Sequence, residues 1–170
     1  AFEPPTEGPP LALPNYWPSA HRAISSEAWL LAAYDAEVRF ADAQVGRLVA
    51  ALRARNVLDD TILVLTADHG ESLTENGLLF DHGDDLFEPS LRIPLIVRFP
   101  GGAKPGHRVD CLASNMDVAP SIRALLGLPI DPQSQGVDRT AALSGAGCQD
   151  NPVIATTVVG RFVDPPPVAH

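Results

Sequence analysis

From Ser26 to about Arg55 the chain runs without proline and with one glycine, Gly46. Within it Tyr34, Val38, Ala41, Val45, Leu48 and Leu52 recur at steps of three and four. That spacing predicts one apolar face on a long helix, and Ser25 or Ser26 stands where an N-cap belongs. Residues 56–60, NVLDD, read as a turn. TILVLT (61–66) is a continuous, partly β-branched apolar run, the pattern of a strand buried on both faces of a parallel sheet. IPLIVRF (93–99) reads as a second buried strand and PVIATTVVG (152–160) as a third. A short helical turn is expected within 86–91, and PGGAKPG (100–106) is a turn. DVAPSIRALLG (117–127) predicts a short helix with Asp117 as N-cap, Pro120 in its first turn and Gly127 closing it. Helices alternating with buried strands predict an α/β fold, a mostly parallel sheet flanked by helices, with the 26–55 helix packed on one face.

Composition sharpens this picture at the ends. Pro4, Pro5, Pro9, Pro10, Pro14 and Pro18 make residues 1–18 an extended lead-in, and Pro165 to Pro167 do the same for the tail. The expected organisation is a Pro-rich lead-in (1–25), a folded region (26–160) and a Pro-rich tail (161–170). With 45% apolar residues in 170, the chain has material for a core. It carries 21 acidic against 12 basic residues, a net charge of −9, and no Lys/Arg cluster, which argues against nucleic acid as a partner. No apolar run approaches the ~20 residues of a transmembrane helix. The opening AFEPPTEGPP has neither the basic start nor the apolar stretch of a signal peptide, so the compartment stays unknown. Cys111 and Cys148 leave three readings open: two buried thiols, one disulfide, or a reactive pair.

The chemistry concentrates after the first strand. Asp68 and His69 follow its C-terminal end, the edge at which open α/β sheets bind ligands. Seven of the 21 acids (Asp68, Glu71, Glu75, Asp81, Asp84, Asp85, Glu88) fall between residues 68 and 88, and no Lys or Arg lies between Asn56 and Leu91. Such a loop suits a hard divalent cation, Ca²⁺, Mg²⁺ or Mn²⁺, with His69 as a nitrogen ligand. The competing reading is a solvated acidic loop with His69 as a structural hydrogen-bonder. Asp59 and Asp60 precede the strand, at its opposite end, and belong to a turn.

Five blocks occur in order: YDAEVRFADAQVGRLVAAL, DDTILVLTADHGESLTENG, LFEPSLRIPLIVRFPGG, SNMDVAPSIRALLG and QGVDRTAAL. Together they resemble the C-terminal half of the sulfatase catalytic domain, within the alkaline phosphatase superfamily. The resemblance implies a partial alkaline-phosphatase-like α/β sandwich. It further implies that Asp68 and His69 ligate one divalent metal, most often calcium, and that a basic residue further on reaches the sulfate or the leaving-group oxygen. No lysine stands there, and His82 in FDHG is the nearest match. The alternative for His82 is a loop histidine held by Asp81 or Asp84.

Sulfatases of this family use a formylglycine nucleophile made from a Cys/Ser-X-Pro-X-Arg motif. Cys111 is followed by Leu-Ala-Ser-Asn and Cys148 by Gln-Asp-Asn-Pro, and neither fits. The resemblance therefore predicts a missing N-terminal half carrying the nucleophile and further metal ligands, without which this chain is inactive. Three functions follow: part of a sulfatase acting on sulfate esters; part of a phosphonate or phosphodiester hydrolase or phosphoethanolamine transferase of the same superfamily; or a non-catalytic half-domain that binds.

Overall fold

The computed structural model describes residues 8–11, 24–83, 85–102, 106–148 and 151–157. The tail and most of the Pro-rich lead-in lie outside them. The chain divides into two compact units, residues 1–103 with 156–170, and residues 104–155.

In the first unit, helix α1 spans Glu27–Ala54, close to the expected 26–55. Ser26 caps it, its hydroxyl accepting the Trp29 N–H at 3.2 Å. A 3₁₀ turn over Leu58–Asp60 leads into strand β1, Leu63–Thr66. Helix α2, Glu88–Leu91, precedes strand β2, Leu95–Arg98. Arg98 locks the turn to β2. Its guanidinium donates to the Leu58 carbonyl at 2.7 Å and pairs with Asp59 at 2.9 Å, which gives Asp59 the turn role expected of it.

The α/β class holds, but three features of the expected sheet do not. β1 and β2 pair antiparallel, Leu63 opposite Arg98 and Thr66 opposite Leu95. A parallel pair needs a crossover that returns the chain to the starting edge. The 67–94 connection holds only the four-residue α2 and a 3₁₀ turn, and it folds back over the strand's C-terminal end instead. Second, the strands are not buried on both faces: Leu65, Leu95 and Ile96 are exposed. Third, residues 152–157 form no strand, and the rest of that predicted element lies outside the described residues.

The apolar face of α1 differs as well. Leu30 is the helix's one buried residue among those described, while Val38 and Leu48 keep 53% and 56% of their surface exposed. Geometry explains this. A helix of 28 residues is ~42 Å long, whereas a four-residue strand covers ~13 Å. A two-stranded sheet has no surface long enough to cover that stripe. The core sits instead at the N-terminal end of α1, where Ile24, Leu30 and Phe80 are buried with Trp29, Leu73 and Leu79 around them.

In the second unit a 3₁₀ turn, Asn115–Asp117, runs directly into α3, Val118–Leu125, and a short α4, Thr140–Leu143, follows. Asp117 does not cap α3 with its side chain as expected. Its backbone is already helical (φ −76°, ψ −16°), so the carboxylate cannot fold back onto α3's first N–H groups. Ser114 caps the turn. Asp117 takes the Ser114 N–H at 3.1 Å, the Val137 N–H at 2.8 Å and the Arg139 guanidinium at 2.8 Å. Both ion-pair partners are buried. Gly136 passes so close to Met116 that an added Cβ would lie 1.9 Å from its carbonyl oxygen. Of the three cysteine readings the structure selects the disulfide, Cys111–Cys148, with Cα atoms 5.9 Å apart.

Candidate functional site

The acidic loop begins where β1 ends and is shaped by a few strong constraints. Ser72 and Asp81 exchange backbone hydrogen bonds at 2.9 and 3.1 Å, pinching residues 73–80 into a lobe. Phe80 closes the lobe in the left-handed region (φ 51°), an uncommon backbone state held there by burial of its ring in the core. Gly70 donates its N–H to the Ser90 carbonyl at 2.8 Å, and a Cβ at Gly70 would fall 1.9 Å from the Pro89 carbonyl oxygen. Only glycine allows this approach, which brings the loop's start against α2.

The acids do not pool their charge on one point. Asp85 accepts from the Ser90 hydroxyl at 3.0 Å, the Ser72 hydroxyl at 3.3 Å and the Phe87 N–H at 2.7 Å. Glu75 accepts the Thr74 and Leu73 N–H groups at 3.0 and 2.9 Å. Asp81 accepts the His82 N–H at 2.9 Å. These three carboxylates build the loop. Among the described residues no three His, Cys, Asp or Glu side chains are grouped to hold a metal ion.

Asp68, His69 and His82 are brought together. Asp68 Oδ2 lies 3.7 Å from His69 Nε2. The rings of His69 and His82 stack, with centroids 4.1 Å apart. His82 Nδ1 lies 2.9 Å from Glu71 Oε2, and Asp84, one of the two partners expected for it, lies outside the described residues. The His69 N–H, donating to Asp68 Oδ1 at 3.0 Å, is the main cause holding the Asp68 carboxyl below the usual carboxylate range. His69 Nδ1 lies 2.9 Å from the Gly70 carbonyl oxygen. A carbonyl only accepts, so Nδ1 carries a proton there, and in a neutral ring Nε2 is then the nitrogen left to ligate.

A carboxylate oxygen and an imidazole nitrogen are both donor types that a divalent ion accepts. The 3.7 Å separation suits two atoms bonded to one ion at ~2.0–2.6 Å. The residues fit the metal, but as a part-site of two ligands.

Glu71, which touches His82, is the residue of this cluster that sequence reasoning did not single out. It counted as one acid among seven, and nothing in its spacing marks a bond to a residue beyond the lobe. Its Oε1 is buried with no hydrogen-bond partner among the described residues.

The sulfatase family model matches residues 7–128, most of the chain. The chain belongs to the sulfatase family. Choline-sulfatase of Rhizobium meliloti is 35% identical over 66% of the chain and 22% of its own length. N-acetylglucosamine-6-O-sulfatase of Bacteroides thetaiotaomicron is 34% identical over 67% and 20%. The chain thus spans about a fifth of the length of these curated relatives. Two solved structures share the fold. One is a phosphonate monoester hydrolase from Silicibacter pomeroyi (TM-score 0.56, 32% identity, 65% of this chain and 21% of that one). The other is BT4656 in complex with its substrate D-glucosamine-2-N,6-O-disulfate (TM-score 0.57, 34% identity, 63% and 21%).

Proposed function

We propose that this sulfatase-family chain supplies part of the metal and substrate site of an enzyme that hydrolyses sulfate esters. The reading is carried by one observation: the Asp68 carboxylate and His69 Nε2 stand 3.7 Å apart just beyond β1. Asp68 and His69 would hold one divalent ion, calcium by family analogy, with Mg²⁺ or Mn²⁺ as alternatives. When bound, the ion supplies Lewis-acid polarisation of the ester oxygens. His82, beside His69, is the group of this chain that would meet the leaving-group oxygen and steady the charge developing on it.

The nucleophile must come from elsewhere in the parent protein. Cys111 and Cys148 lack the formylglycine motif, and their disulfide leaves neither thiol available. The remaining metal ligands belong by the same analogy to the missing N-terminal half of the domain. A second reading, a phosphonate monoester hydrolase, draws on the likeness to the Silicibacter enzyme. Assay of the parent protein with an aryl sulfate and an aryl phosphonate monoester, with calcium present, separates the two. Aryl sulfate turnover lost in Asp68→Ala supports the first; a preference for the phosphonate replaces it with the second. Turnover of neither overturns both.

A further inference from the structure

We propose that Asn76–Gly77, in the 73–80 lobe, is a site of spontaneous covalent modification at which the chain deamidates itself. Glu75 to Leu78 form a tight turn, closed by the Leu78 N–H on the Glu75 carbonyl at 3.0 Å. Both central residues lie in the left-handed region, Asn76 at φ 59°, ψ 20° and Gly77 at φ 75°. This is the type I′ turn that an Asn-Gly pair favours. Glu75 fixes the entry to the turn by accepting the Leu73 and Thr74 N–H groups.

A flip of the central peptide plane converts a type I′ turn into type II′ and leaves its two ends in place. The first central residue keeps φ near about +60°, while its ψ moves to about −120°. Asn76 already holds the φ that both forms share. The flip reverses the sign of φ at the second position, and glycine takes either sign readily. At the flipped ψ the Gly77 nitrogen swings to the side of the Asn76 Cβ, within reach of the side-chain amide carbon. That nitrogen then bonds to Cγ, closing a five-membered imide, and the Cγ–Nδ2 bond breaks. The proton displaced from the Gly77 nitrogen leaves with Nδ2 as ammonia. Water opens the imide at Cγ to give aspartate, or at the backbone carbonyl to give isoaspartate. Nothing is oxidised or reduced, and water is the one co-reactant.

The surroundings leave this path open. Asn76 and Gly77 are exposed, and the Asn76 side chain makes no hydrogen bond among the described residues. A Cβ added at Gly77 would meet nothing within 4 Å. Asn56 supplies an internal contrast, being exposed and left-handed as well, at φ 55°. There the attacking nitrogen would be that of β-branched Val57, whose N–H is held by the Leu52 carbonyl at 3.1 Å. Modification at Asn76 adds a negative charge to residues 68–88, which carry seven acids and no Lys or Arg. The isoaspartate form also adds a backbone carbon to a lobe whose neck, Ser72–Asp81, adjoins His82.

The test incubates the folded 170-residue chain at about pH 8 for several days and maps its peptides by mass, where conversion of an amide to a carboxylate adds about 1 Da. The peptide holding Asn76 should gain that mass and become a substrate for an isoaspartate methyltransferase, while the peptide holding Asn56 should not. Gly77→Ala, shown by circular dichroism to be folded, should slow the conversion about tenfold or more, since alanine resists positive φ and crowds the nitrogen. An intact Asn76 in the folded chain overturns the proposal. Conversion confined to the urea-unfolded chain does the same, because the turn would then protect the amide. Equal rates at Asn56 and Asn76, or an unchanged rate in folded Gly77→Ala, also overturn it.

Discussion

His69 and His82, from opposite ends of the acidic loop, stack with ring planes 17° from parallel. The contact joins the residue that would ligate a metal to the one that would meet the leaving group. It depends on the loop returning to its own start, which the Ser72–Asp81 pair enforces.

Two ligands, as proposed for Asp68 and His69, would make a weak site. The 170-residue chain alone should bind calcium no tighter than ~1 mM, since calcium usually takes six to eight oxygen ligands. It should also leave an aryl sulfate intact, having no nucleophile of the required kind. Titration followed at the His69 resonances checks the first claim, and Asp68→Ala should erase even the weak response. Micromolar binding by the chain alone would sink the part-site description.

Two glycine substitutions should move stability in opposite directions. Gly70→Ala forces a Cβ to within 1.9 Å of the Pro89 carbonyl oxygen, so the backbone must shift, at ~1–3 kcal/mol. Gly46 lies inside α1 with nothing within 4 Å of an added Cβ, and Gly46→Ala should stabilise by ~1 kcal/mol. Urea unfolding of both variants reads the contrast. A neutral Gly70→Ala would show that the α2 contact is looser than described.

Acid should weaken the second unit through Asp117. Burial alone would raise its pKa, but the Val137 N–H, the Arg139 guanidinium and the Ser114 N–H outweigh this and hold it below the usual value. A depressed folded-state pKa means the contribution is complete above the unfolded-state value of ~3.9 and is lost as pH falls through the folded-state one. Asp117→Asn should remove that acid-dependent part. Arg139→Met, which strands the buried carboxylate, should cost ~3–5 kcal/mol at neutral pH. Urea midpoints measured against pH would test this; parallel wild-type and Asp117→Asn curves would refute it.

Among the described residues the sheet has only two strands, and Leu65, Leu95 and Ile96 on them are exposed. Self-association of the isolated chain at high concentration is expected, and Ile96→Lys should reduce it. Sedimentation velocity of the two proteins gives the answer, and an unchanged distribution would count against the sheet as the sticky surface.

Local patterns were the legible part. The three- and four-residue spacing marked α1 to within a residue, and β-branched runs located both strands. Strand direction was not written in those runs, because it depends on how residues 67–94 cross the sheet. Burial was likewise misread: Val38 and Leu48 carry a core-facing pattern, but no described element is long enough to cover them. Asp117 looked like a cap because Asp before a helix usually is one, whereas its partner Arg139 lies far along the chain. Asp68, His69 and His82, which the structure brings together, were singled out by their resemblance to family motifs. Glu71 was not, since its bond to His82 exists only once the lobe has closed.

The Cys111–Cys148 disulfide spans 37 positions and encloses α3, α4 and the close pass of Gly136 against Met116. A protease nicking the 128–135 stretch would therefore cut the backbone without releasing a piece. Under non-reducing conditions the nicked chain would keep its full mass, and only a thiol reductant would split it into two fragments.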